Sequence, residues 1–145
     1  MSDQMITGLT IAKVEGSIDS IEAVSKQRFP KLNINLEGIE SKGEHISIAY
    51  TFSADYFDSD ATSAKSIGNI KIRGTVDVKD SKDVLNAVVK KWNDEKRLPT
   101  VLAEEVINAL NFRCSATGTL VAYSLGLIPP MVISPTKVQE SKPAK

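Results

Sequence analysis

The 145-residue chain has one cysteine, one histidine, one tryptophan and no net charge, its 18 Lys and Arg balancing 18 Asp and Glu. Each shortage removes a class of function. Cys114 alone cannot form an internal disulfide, and the single His45 leaves no His-rich metal site and one imidazole at most for a cysteine nucleophile. His45 falls on the polar positions of its segment and Cys114 on an apolar helical arc, where a cysteine behaves as a small hydrophobe, so neither is assigned catalysis. A chain without net charge projects no field toward nucleic acid or an anionic surface, and nucleic acid is not an expected partner.

No window holds the ~20 apolar residues of a bilayer span, because Arg113, Ser115, Thr117 and Thr119 interrupt the best candidate. The start, MSDQMITGL, lacks the basic stretch and long apolar run of a secretory signal, and a cytoplasmic location is expected. Neither a dinucleotide fingerprint, a P-loop nor a G-x-S-x-G elbow occurs. Asp58, Asp60 and Thr62 in DYFDSDATSA sit like the first ligands of a calcium loop, yet Ser63 and Asn69 stand where that loop needs Gly and Glu. Adjacent Glu104 and Glu105 suit a helix N-terminus, and the basic residues Lys79, Lys82, Lys90, Lys91, Lys96 and Arg97 interleave with Asp80, Asp83, Asp94 and Glu95 as on a solvated helix. The expectation is a non-enzyme without metal or cofactor.

What is present is a change of period along the chain. Leu32, Ile34 and Leu36 alternate with polar residues, and at Gly38 the phase moves to Ile39, which predicts a strand with a β-bulge there or the strand's end. Ile46, Ile48, Tyr50, Phe52, Ala54 and Tyr56 form the clearest alternation, and Ile70, Ile72, Val76 and Val78 a third. Ile6 to Glu15 mixes its phase and reads as a fourth strand buried in part on both faces. The period becomes helical at Asp80, where Val84, Leu85, Val88, Val89 and Trp92 share a face behind Asp80 or Ser81 as N-cap; Trp92 reads as a core anchor. Pro99 ends that segment, and Thr100 is expected to cap a second helix running to Leu125, about 39 Å, with Gly126 as C-cap and Gly118 as its one bending point. The fold class is therefore α+β, a four-stranded antiparallel meander with a short and a long helix on one face.

The long helix is too apolar for that layout. Leu102, Leu120, Val106, Leu110, Val121, Cys114, Ile107 and Leu125 fill an arc of about 140°, enough to face the sheet. Ala109, Phe112, Ala116, Tyr123 and Val101 widen it to roughly 220°, and only Asn111, Glu104, Ser115 and Asn108 form a polar strip. A self-associating patch is the economical cover, giving a dimer or tetramer, and the extended LIPPMVI that follows should lie along a groove or strap over a neighbour. Val101, Phe112, Ala116, Tyr123, Ile128 and Met131 are the expected contact residues for a second copy or a polypeptide.

The pattern IKIRGTVDVKD, a helix, then LPTVLAEEVINALNFRCSATGTLVAYSLGLIPP resembles the SecB-like family of chaperones, in a divergent form outside its export chaperone. The resemblance rests on the strand around Gly74, the helix start at Leu98 and Pro99, EVINAL from Glu105 to Leu110, and the ending Leu125 to Pro130. It implies one SecB-like domain over residues 1–133, oligomers with helices between outer sheets, and apolar grooves that hold unfolded polypeptides without nucleotide hydrolysis, in protein export among other settings. The polar, proline-bearing residues 134–145 are expected to be a disordered tail. The acidic surface and tail by which the export chaperone docks its motor have no match here, so motor coupling is not expected. The alternative from another class is a structural or adaptor subunit that recognises one folded protein through the same patch.

Overall fold

The computed structural model of the chain describes residues 6–59 and 66–131. Four antiparallel strands, β1 (Ile6–Ile18), β2 (Lys31–Ser41), β3 (His45–Phe57) and β4 (Ser66–Lys79), precede the helices α1 (Lys82–Glu95) and α2 (Thr100–Leu125). The α+β reading stands, with one difference of order. β2, β3 and β4 form the meander, while β1 lies outside β4 rather than beside β2, giving β1-β4-β3-β2. The crossover from β1 to β2 runs along one end of the sheet and finds backbone partners there: Asp19 N–H donates to Ile67 O at 2.7 Å, Arg28 N–H to Phe57 O at 3.2 Å, and Gln27 bridges to Asp58. Those bonds satisfy a polar backbone that would otherwise be stranded in a long loop.

Register shifts explain the mixed phases. The ladder slips between Leu36 and Gly38 of β2, a bulge rather than the end of the strand, which continues to Ser41, and between Ile11 and Lys13 of β1. Before that second slip Leu9 and Ile11 pair with Val76 and Gly74; after it Val14 pairs with Ile72, so one face is kept although the sequence phase changes. The irregular apolar pattern of β1 thus records a bulge in an edge strand, with much of the strand exposed, rather than burial on both faces. The inner face of β3 and β4 is buried from Ile46 to Tyr56 and from Ile70 to Val78. The outer face is polar and paired across strands, as in Ser47 Oγ donating to Asp77 Oδ1.

Gly74 holds β1 against this core. A Cβ there would fall 1.9 Å from Thr10 O and 2.9 Å from the Tyr50 hydroxyl. The bare backbone lets the Tyr50 side chain of β3 reach over β4 and donate to Thr10 O at 3.2 Å. Burial, which disfavours the phenolate, pushes the Tyr50 hydroxyl far above its usual pKa.

Both helices lie on the inner face, α1 toward β2 and α2 across β1 and β4. Ser81 caps α1, its Oγ accepting from Val84 N–H, and Leu85, Val88 and Trp92 are buried. The cap of α2 is Pro99, without a side-chain hydrogen bond, so Thr100 is the first helical residue rather than the cap: a proline carries no N–H to satisfy and its fixed φ suits a helix entry. The helix runs unbroken through Gly118 and ends on Gly126 in the left-handed region at φ 73°. Near its C-terminus it lies so close to β1 that a Cβ on Gly16 would meet Val121 and Leu125 at 2.6 and 2.8 Å.

The contrast between two glycines checks the role of Gly74. Gly74→Ala should lower stability by about 2 kcal/mol or more as β1 is pushed from its ladder, whereas Gly38→Ala, facing open space, should change it by about 0.5 kcal/mol or less. Urea melting of the two variants reads the difference; equal midpoints would contradict this packing.

Candidate functional site

Around α2, the buried residues are Leu102, Ala103, Val106, Leu110, Cys114, Ser115, Gly118 and Ala122. Two assignments from the helical wheel are corrected. Leu120 does not face the sheet but is exposed, and Ser115 does not belong to a solvent-facing strip but is buried. The cause is the segment after the helix. Leu127 N–H donates back to Ala122 O at 2.8 Å, turning the chain so that Pro130 packs on Gly118, where a Cβ would meet Pro130 Cγ at 2.8 Å. This strap covers a side of α2 that a one-sheet layout leaves open, and the inward face is rotated toward it. Gly118 serves close approach, not bending.

Two polar side chains fasten the strap. The Gln27 amide donates to Gly126 O at 2.9 Å and to Val24 O at 2.8 Å, and its oxygen accepts from Ile128 N–H at 2.6 Å. Tyr56 donates to Ile128 O at 2.6 Å, and burial pushes the Tyr56 hydroxyl up to about 12. Leu127 and Pro130 are buried, Ile128 is half-buried and Met131 is exposed.

What remains outside is an apolar stripe. Phe112 is 81% exposed, Tyr123 75%, Leu120 72% and Val101 63%, with exposed Ala116 among them. Of the expected contact residues, Val101, Phe112, Ala116 and Tyr123 therefore share one outward face. Ile128 and Met131 belong instead to the strap, which packs on Gly118, roughly 120° around the helix from Phe112.

A second apolar surface was not legible in the sequence. Between β2, the end of α1 and the start of α2 lies a cleft of about 280 Å³ lined by Ile34, Leu36, Trp92, Leu98, Ala103 and Ile107, with Asn35, Thr100, Lys96 and Arg97 completing it. Its residues come from three elements spread over more than seventy positions, and no local period joins them. The outer edge of β2 beside it pairs with no other strand among the described residues.

The residues lining the cleft include no His, Cys, Asp or Glu. Cys114 is buried and its thiol is pushed up to about 11 by desolvation, partly offset by its hydrogen bond with Tyr50, which leaves it protonated near neutrality. His45 borders a separate cleft with Thr7, Glu44, Asp77 and Lys79, whereas Cys114 is buried in the core. Among the described residues no three His, Cys, Asp or Glu side chains group as metal ligands. No helix there is long and apolar enough to cross a membrane. The calcium-loop look-alike and the expected tail fall largely or wholly outside the described residues.

No protein-family model and no curated protein sequence matches the chain. Its fold does recur among solved structures, in the Mycobacterium tuberculosis Rv1957 SecB-like chaperone in complex with a ChAD peptide from the Rv1956 HigA1 antitoxin. The TM-score is 0.62 with 6% sequence identity, over 92% of this chain and 91% of that one. At that identity the two share a fold; residue roles are not transferred.

The strap carries a prediction. Gln27→Ala removes three hydrogen bonds and should cost about 1–3 kcal/mol, with faster amide exchange at Leu127 and Ile128 than in the centre of α2. Unchanged exchange at both residues would mean that Gln27 does not hold the strap.

Proposed function

We propose that the protein is a non-enzymatic, self-associating chaperone-like protein that holds extended apolar polypeptide segments. The observation that carries this reading is the outward stripe of α2, whose large side chains are left in solvent by the chain's own sheet and strap. Soluble monomers rarely expose such a contiguous patch without a partner. The fold shared with a peptide-binding chaperone supports the same conclusion.

The two apolar surfaces divide the work. Val101 and Tyr123 each lie eleven residues from Phe112, close to three helical turns, so the three side chains stand in line about 16 Å apart. A second copy crossing antiparallel at Phe112 sets Val101 of each helix against Tyr123 of the other, the self-complementarity a two-fold interface requires. The cleft beside β2 then receives the client. Burial of client side chains there contributes about 25 cal/mol per Å² of apolar surface, and the free edge of β2 offers backbone hydrogen bonds that do not depend on client sequence. Neither interaction needs a nucleophile, a metal or a nucleotide. A role in export, or as an adaptor for one folded protein, adds a partner's identity to the same surfaces; the peptide in the neighbouring structure's complex favours the polypeptide-holding form.

Wild-type protein should delay the aggregation of a denatured, reduced test protein at equimolar ratio without nucleotide. Phe112→Asp should stay folded by circular dichroism yet shift to a smaller assembly, because an unpaired charge buried between copies costs several kcal/mol, roughly. Failure of the wild type to delay aggregation would refute the holding function. An unfolded Phe112→Asp would refute the assignment of the outward face.

A further inference from the structure

The cleft beside β2 has a chemical bias beyond its apolar floor. Its ten lining residues include two cations, Lys96 and Arg97, and no carboxylate. Lys96 is fixed in the left-handed region at φ 57°, its N–H donating to Trp92 O at 2.8 Å, so the backbone that carries the ammonium is locked to the residue flooring the cleft. The end of α1 favours cations electrostatically, which accounts for their position, but their charge is little spent within the chain. Arg97 Nε stands 3.9 Å from Glu95 Oε1, and Lys91 shares the same carboxylate at 3.8 Å. Exposed pairs at such lengths are weak, and the one carboxylate of Glu95 cannot neutralise Lys91, Lys96 and Arg97 together.

We propose that this cleft selects extended client segments in which an acidic side chain neighbours a large apolar one, the apolar group resting against Trp92 and Leu98 and the carboxylate meeting Lys96 and Arg97. The proposal rests on reading the cleft as the client site. It gives the site a preference that buried area and edge hydrogen bonds alone would not supply. Charge complementarity of this exposed kind acts on selectivity and salt dependence more than on total affinity.

Trp92 is the only tryptophan and lines the cleft, so its fluorescence reports occupancy directly. The probes are tryptophan-free ten-residue peptides, acetylated and amidated to remove terminal charge, with a Leu-Phe centre flanked by Asp, Ser or Lys. The Asp-flanked peptide should bind about three- to tenfold tighter than the Lys-flanked one at low salt, with the ratio falling toward one in 0.5 M salt. The paired substitution Lys96→Asn and Arg97→Gln, in which asparagine tolerates the positive φ, should bring the ratio to about one by weakening the Asp-flanked peptide more than the Ser-flanked one. The control pair Lys90→Gln and Lys91→Gln should preserve the ratio. Equal binding of all three peptides, or a preference for Lys, overturns the selectivity and leaves the client cleft standing. Peptides that associate with the protein without moving Trp92 overturn the cleft itself.

Discussion

A two-layer domain covers a helix from one side, and α2 is apolar on more than one. The whole arrangement after Pro99 follows from that constraint. The sheet takes Val106, Leu110 and Cys114. The chain then reverses at Gly126 and lays Leu127 to Pro130 along a second side, using Gly118 as the point of contact and the amide of Gln27 and the hydroxyl of Tyr56 as fasteners. The third side, with Val101, Phe112, Leu120 and Tyr123, has nothing left in the described chain to cover it. At roughly 1.5–3 kcal/mol for burying each large apolar side chain, those four residues represent a drive for association comparable to the net stability of a small domain.

The same economy of small residues runs through the sheet. Gly74 and Gly16 are places where a side chain would collide with a neighbouring element, Thr10 in one case and the end of α2 in the other. Both bear on β1, the strand that joins the sheet out of sequence order: Gly16 lies in it, and Gly74 lies in β4 opposite Ile11. Lacking a hairpin to hold it in register, β1 is fixed by a bulge, by the Tyr50 hydroxyl on Thr10 O and by the weight of α2 upon Gly16. Close backbone approach replaces local connectivity.

Local features were legible in the sequence and tertiary ones were not. The alternation of β3, the bulge near Gly38, the start of α1 at Ser81 and the C-cap at Gly126 each depend on a few neighbouring residues, and the structure has them where the pattern places them. The outward set of Val101, Phe112, Ala116 and Tyr123 was also legible, because it follows from helical geometry once the opposite arc is known to face the sheet. Leu120 and Ser115 were misplaced because the wheel assumes a single covering layer, whereas the strap turns the helix toward itself. The position of β1 was hidden because a strand's pattern does not say which edge it joins. The cleft could not be read at all: Ile34, Trp92 and Ile107 become neighbours only when β2, α1 and α2 are assembled. The nearest signals were Trp92 at the end of its stripe and Leu98 held extended before Pro99.

We infer that a second copy covers the outward stripe of α2, with the two-fold axis at Phe112. Disulfide trapping tests this most directly, in a Cys114→Ala background so that the introduced thiol is the only one. With Phe112→Cys, mild oxidation at micromolar protein should convert most of the chain to a covalent dimer within minutes, while Ser124→Cys, exposed but off the axis, should remain largely monomeric. Equal crosslinking at the two positions, or a Phe112→Cys chain that stays monomeric while its light-scattering mass is 15.7 kDa, would contradict the account.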